Sequence, residues 1–368
     1  MEKVFIFWRK GFCMNFQINK SQKVLVTGAT GFVAGWIIKQ LVEAGVCVHA
    51  TVRDPNDEKK VAHLQEMSKK GPGKVILFQA NLLEPGSFDD SIAGCSIVFH
   101  TASPFLLKFN DAQKDFINPA MQGTQNILET VNSVSSVERV VLTSSCAAIY
   151  GDADECELAP NGMLNEDIWN TTSSVAHQPY SYSKTVAERK AWQMADAQDR
   201  WSLVVINPSL VLGPSVSGQS TSGSHDMCLQ LGDGTMKAGA PPFEVGMVDV
   251  RDVADAHVRA GYIANADGRH IVSKETCSPI MLSEMLKKQY GQDYPLPEKE
   301  LPKWLVWLVG PMIEKNITRK VISKNMKHKW LADNAKSKQK LGIEYRSLEI
   351  SINEMFQQMI DQGAFERN

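Results

Sequence analysis

The segment "KVLVTGATGFVAGW" (residues 23–36) constrains the fold of this chain more than any other stretch. A short β-branched run ends in glycine, and apolar residues at helical spacing (Trp36, Ile37, Leu41) follow until Gly45. A strand that stops at a glycine turn and re-enters as a helix is the opening unit of a parallel sheet. The same alternation recurs. "CVHATV", "KVILFQAN", "SIVFHTA", "ERVVLTSS" and "WSLVVINPSLVLGP" read as five further strands, with helical stretches such as "GTQNILETVNSV" between them. Parallel β-α-β units with right-handed crossovers make an α/β, Rossmann-type doubly wound sheet.

After Pro214 the pattern changes to a Ser/Gly-rich loop, "SVSGQSTSGSHD". Three parts are expected: an N-terminal extension (1–20), a dinucleotide-binding domain (21–215, with 246–274 returning to it), and a carboxy-terminal lobe for substrate (216–368, mostly). The 368 residues suit two lobes, and the formal net charge of −2 provides no basic field for nucleic acid. Seven cysteines without a C-x-x-C pair or a His/Cys cluster argue against a zinc site or a disulfide framework, so no metal is expected. The run "WLVWLVGPMI" (304–313) is about half the length of a membrane span, as single spans need roughly 20 residues, and Gly310 and Pro311 break it. It reads as a buried or pocket-lining helix, with an interfacial membrane contact as the lesser alternative. "VFIFW" is shorter than a signal-peptide core, Met14 offers an alternative start, and the expected location is cytoplasmic.

The turn has the spacing Gly28-x-x-Gly31-x-x-Ala34, with Gly35 displaced by one. Such a turn brings backbone N–H groups close to a pyrophosphate at a helix amino end. Thr30, Phe32 and Val33 lie within that cradle. An NAD site usually places Asp or Glu about 20 residues beyond the glycines, on the ribose. Here Arg53 stands there, with Lys59 and Lys60 close behind. A guanidinium matches phosphate geometry, so the expected cofactor is NADPH/NADP+.

"TSSCAAIYG" closes the fifth strand at the sheet's carboxyl edge, and "PYSYSKTVAERKAW" follows. Tyr180 and Lys184 are spaced i, i+4 and share a helix face. A phenol of pKa about 10 is a weak acid near neutrality, and a nearby ammonium lowers it. Tyr180 is therefore the expected general acid, tuned by Lys184, with Ser145 holding the substrate oxygen. Alone, the Tyr/Lys spacing is common on helix surfaces.

With these motifs the chain resembles the extended short-chain dehydrogenase/reductases, specifically their dihydroflavonol-4-reductase-like group. "VTGATGFVAGW", "ATVRDP", "NLLEPGSFDD", "VFHTASP", "VVLTSS", "YSYSK", "INPSLVLGP", "VDVRDVADAHV" and "DNAKSKQKLGIEYRSLE" carry the resemblance. It implies a catalytic triad of Ser145, Tyr180 and Lys184, with Lys184 also bonding the nicotinamide ribose. It places Arg53 and Lys60 near the 2′-phosphate, Asn81 and Leu82 near adenine, and Thr101, Ala102 and Ser103 beside ribose and nicotinamide. Pro208 and Ser209 would flank the nicotinamide and phosphates. Phe105, Leu106, Tyr150 and Met227 are candidates for an apolar substrate pocket, each equally readable as core. Three positions depart from the pattern. Asn81 replaces a usual acid, Tyr150 stands where flavonoid reductases carry Asn or Asp, and "HQPYSY" replaces the "NWYCY" of cinnamoyl-CoA reductases.

The expected activity is reduction of a small-molecule aldehyde or ketone by a monomer or homodimer. A nucleotide-sugar epimerase or dehydratase and a non-catalytic dinucleotide-binding regulator are the alternatives. His100, His177 and Cys146 read as structural residues.

Overall fold

The structure, a computed structural model, describes residues 16–103, 111–218, 222–313 and 317–365. Seven parallel strands form the main sheet in the order β3-β2-β1-β4-β5-β6-β9. They are β1 (Lys23–Thr27), β2 (Cys47–Val52), β3 (Lys74–Gln79), β4 (Cys95–His100), β5 (Arg139–Thr143), β6 (Ser202–Pro208) and β9 (Gly268–Val272). A smaller sheet holds β10 (Glu275–Cys277), β8 (Val245–Asp249) and β7 (Leu210–Leu212), in that order.

Alternation along β1 explains why the main sheet is covered on both faces. Val24 and Val26 join one buried cluster with Ile37, Ile38 and Leu41 of helix Phe32–Glu43 and Val253 of helix Val250–Tyr262. Leu25 points the other way, into a cluster with Ile127, Leu128 and Val131 of helix Asn118–Ser133 and Ala191 of helix Pro179–Ala195. A strand buried on both sides reads as an apolar run, and residues 24–26 at the centre of β1 do.

"WSLVVINPSLVLGP" was expected as one strand and forms two. Pro208 has no N–H to continue the ladder. Beyond Ser209, β7 leaves the main sheet to pair in parallel with β8. β8 accordingly sits in the smaller sheet, while helix Val250–Tyr262 and β9 pack with the main one. A third buried cluster joins helices Gly223–Gly232, Pro279–Tyr290 and Leu348–Asp361 over β7 and β8. Met227 belongs to that cluster, so it is core rather than pocket wall.

Helix Lys303–Ile313 is not buried, contrary to the favoured expectation: Trp304, Leu308, Met312 and Ile313 are 68%, 52%, 84% and 79% exposed. Among the described residues no helix is long and apolar enough to cross a membrane, and the six cysteines there are all free. Phe105, Leu106 and Met14 lie outside the described residues.

Candidate active site

Strand order reverses between β1 and β4, and a crevice outside the carboxyl ends of the strands is the usual ligand position at such a point. Gly28 leaves β1 with φ +66, a left-handed conformation, and a Cβ there would lie 3.0 Å from Ala102 Cα. The turn closes with Gly31 N–H on Gly28 O at 2.8 Å, and Gly31 then caps helix Phe32–Glu43 with no side-chain acceptor. Phe32 and Val33 form its first turn, Thr30 is exposed, and Ala34 is buried. A Cβ on Gly35 would make ordinary contact with Val216 at 3.5 Å, so its displacement from the motif costs the turn nothing.

Thr27 ties the two strand ends together. Its Oγ1 accepts from the N–H groups of Thr101 and Ala102, both at 3.1 Å, and lies 2.9 Å from His100 Nδ1. Burial pulls the His100 pKa down to about 3, with the charge of Lys184 adding to the effect, so this imidazole is neutral and structural.

Arg53, just beyond β2, is exposed and has no partner among the described residues. Lys60 is exposed too, its ammonium 2.8 Å from Asp57 Oδ2. Asn81 is turned into its own loop: its Oδ1 accepts from Leu83 N–H and its Nδ2 donates to Glu84 Oε1. Leu82 lines a cavity with Ala102, Ser103 and Lys184. Pro208 ends β6, and the neighbouring Ser209 Oγ is buried with no hydrogen-bond partner among the described residues.

Ser145, Tyr180 and Lys184 converge. Ser145 follows β5 and caps the short turn Cys146–Ala148, its Oγ accepting from Ala147 N–H at 3.1 Å. It is also hydrogen-bonded to the Tyr180 phenol. Tyr180 starts helix Pro179–Ala195, its ring edge-on to Phe116 at 6.2 Å. Although the ring is 37% exposed, burial around the hydroxyl raises the phenol pKa and the Ser145 bond partly lowers it. The Lys184 ammonium lies 5.8 Å from the Tyr180 ring centroid and donates to Ser103 Oγ at 2.9 Å. Burial pulls Lys184 down to about 8, while Glu188 one turn later pulls it up.

Two networks behind these residues escaped the sequence reading. Glu188, 1% exposed, takes Arg269 Nε at 2.6 Å, Ser144 Oγ at 2.5 Å and Asn207 Nδ2 at 2.8 Å. Its signal was present, since Lys184 and Glu188 are i, i+4 on one helix face. Asp152 takes His177 Nε2 and Asn325 Nδ2 at 2.6 Å each, and Gln178 Nε2 at 3.2 Å. These bonds hold Gln178 in a left-handed conformation (φ +55) immediately before Pro179 and Tyr180. No local pattern announces that contact across 173 residues.

Asp152, Asp154 and Glu155 approach one another, but Asp152 is engaged as above, Asp154 meets Lys324, and Glu155 caps the N–H groups of Gly151 and Asp152. Cys146 is buried and its Sγ–H donates to Asn207 O, and burial pushes its thiol far up. Tyr150 packs edge-on against buried Trp330 at 5.9 Å.

A reversed strand order, a left-handed glycine pressed against the next strand end, and a Ser/Tyr/Lys cluster beside it define a Rossmann-type dinucleotide fold. The chain belongs to the NAD dependent epimerase/dehydratase family, whose profile matches residues 24–272. It is 36% identical to a cinnamoyl-CoA reductase of Medicago truncatula over 343 residues, 91% of this chain and 95% of that protein. A tetraketide alpha-pyrone reductase of Arabidopsis thaliana is 38% identical over 279 residues, 75% of this chain and 84% of that protein. The structure of Gre2 from Candida albicans in complex with NADPH superposes with a TM-score of 0.74 at 28% identity, covering 92% of this chain and 99% of that one.

Proposed function

We propose that this protein is an NADPH-dependent reductase of aldehydes or ketones in which Tyr180 delivers the proton. The carrying observation is the convergence of Ser145, Tyr180 and Lys184 at the carboxyl edge of the sheet, with Lys184 bonded to Ser103 after β4. The residues fit the dinucleotide on three counts: the close Gly28–Ala102 approach, and an Arg53 guanidinium and a buried Ser209 hydroxyl that have no partner among the described residues. Relatives named as reductases and a neighbour bound to NADPH support the same reading.

Bound NADPH supplies the hydride. Gly28, Gly31, Phe32 and Val33 would hold its pyrophosphate, Arg53 with Lys60 its 2′-phosphate, and Thr101, Ala102, Ser103, Pro208 and Ser209 its nicotinamide end. Ser145 Oγ orients the substrate oxygen by a hydrogen bond, and the Tyr180 hydroxyl gives that oxygen its proton as negative charge develops there. Lys184 is cationic below about pH 8 and favours the phenolate that Tyr180 leaves behind.

The test is a panel of aldehydes and ketones assayed with NADPH and with NADH. Carbonyl-dependent oxidation of NADPH in preference to NADH is expected. Redox-neutral conversion of a nucleotide sugar, with no net cofactor consumption, would replace this reading by the epimerase one.

A further inference from the structure

We propose that helix Lys303–Ile313 docks the protein on an anionic membrane surface. The helix carries its apolar stripe on the wrong side for a water-facing element. Trp304, Leu308 and Met312 recur every four residues on one face and are 68%, 52% and 84% exposed, with Trp307 flanking them at 39% and Ile313 79% exposed at the helix end. The opposite face is the one that packs: Gly310 is buried, and a Cβ there would lie 3.2 Å from Ile322 of helix Arg319–Asn325. An amphipathic helix normally turns its apolar stripe toward the core. One that exposes a Trp/Leu/Met stripe marks an interaction surface.

Charge selects the occupant. From Lys303 to Lys329 the sequence carries Lys303, Lys315, Arg319, Lys320, Lys324, Lys327 and Lys329 against Glu314 alone, in a chain of net charge −2. Arg319, Lys320, Lys327 and Lys329 are exposed, and none forms an ion pair among the described residues. Nearby, Lys324 is paired with Asp154 at 2.9 Å, and His328 Nδ1 lies 3.1 Å from Glu157 Oε1. The Arg319 guanidinium lies 4.5 Å from the Trp307 ring centroid, so a cation and an interfacial aromatic ring are presented together. Tryptophan settles at the headgroup level of a bilayer, apolar residues beside it enter the acyl boundary, and flanking Lys and Arg are attracted to anionic lipid. A second protein surface would need matching acidic groups around an apolar groove; a phosphatidylserine-containing leaflet supplies both features.

Flotation with phosphatidylcholine vesicles, with and without phosphatidylserine, tests this independently of turnover. The full-length protein should float with the anionic vesicles, remain largely behind with the neutral ones, and be released by high salt. Trp304→Ser/Met312→Asp/Ile313→Asp and, separately, Arg319→Glu/Lys320→Glu should each weaken binding about tenfold or more, as each basic residue near an anionic surface contributes on the order of 1 kcal/mol. Both variants alter exposed side chains and should keep the wild-type thermal unfolding midpoint. The proposal is overturned if wild-type protein floats with neither vesicle, or if both variants float like wild type. It is equally overturned if the apolar variant turns a concentration-dependent dimer into a monomer on gel filtration, which would show that a second copy covers the helix.

Discussion

Replacing Glu188 by Gln should cost this protein much of its stability, and the size follows from what the carboxylate touches. Glu188 is 1% exposed and Arg269 is 6% exposed, with Nε to Oε1 at 2.6 Å. Arg269 also bonds the Ile168 carbonyl at 2.6 Å, and its guanidinium lies 4.0 Å from the Trp169 ring centroid, so it cannot swing into water without losing both. Glutamine removes the charge opposite that guanidinium. It also puts an NH2 group among four donors, those of Ser144, Trp192, Asn207 and Arg269. Removing one partner of a buried pair costs about 3–5 kcal/mol, a large share of a typical unfolding free energy of about 5–15 kcal/mol. Urea unfolding followed by tryptophan fluorescence should show a loss of that size with an unchanged slope. Adding Arg269→Met to Glu188→Gln removes the stranded cation and should recover a substantial part of the loss, giving a coupling of roughly 0.5–3 kcal/mol. A single variant within about 1 kcal/mol of wild type would refute the reasoning, because it would mean the guanidinium finds water or another anion.

Arg53→Asp should move preference from NADPH toward NADH by roughly tenfold to a hundredfold in the ratio of kcat/KM, the scale of a lost charge-assisted bond; steady-state kinetics with both cofactors checks it. Gly28→Ala should destabilise the turn by about 1–2 kcal/mol from the left-handed backbone alone, and the contact with Ala102 should weaken NADPH binding further; fluorescence titration reads the second effect. Lys184 gives two pH effects of opposite sense. Its pKa is lowered to about 8 in the folded protein from about 10.4 unfolded. Between those values the unfolded chain binds more protons, so stability rises with pH across that window relative to Lys184→Met. Reduction should instead fall as pH rises through about 8, where the ammonium is lost, and that limb should be missing from the residual activity of Lys184→Met.

The parallel layer was legible because buried strands must be apolar and their turns need glycine. "KVLVTG", "CVHATV" and "SIVFHTA" each fell on a strand of the main sheet, β1, β2 and β4. Tyr180 and Lys184 were legible because helical spacing puts them on one face, and Ser145 because it follows a strand end. The partition of "INPSLVLGP" between two sheets was not, since it depends on which neighbour β7 finds after Pro208. Nor was the hydrogen-bond partner of the Lys184 ammonium. Spacing brought Lys184 to the correct face but left the direction of its ammonium open, and Ser103, 81 residues earlier, takes it. The Asp152 and Glu188 networks depend on tertiary partners, Asn325 and Arg269, that no local pattern links to them. Helix Lys303–Ile313 misled the reading for the same reason, since an apolar run records hydrophobicity and not whether a neighbour covers it.

Tyr180→Phe most directly tests the central claim that this phenol delivers the proton. The substitution removes one oxygen and leaves the ring against Phe116 and the glycine cradle untouched. Carbonyl-dependent NADPH oxidation should fall by about 10²–10⁴-fold, the usual worth of a positioned acid, while NADPH binding measured by fluorescence stays within a few-fold of wild type. Turnover retained at the wild-type rate would contradict the account and assign the proton to another group.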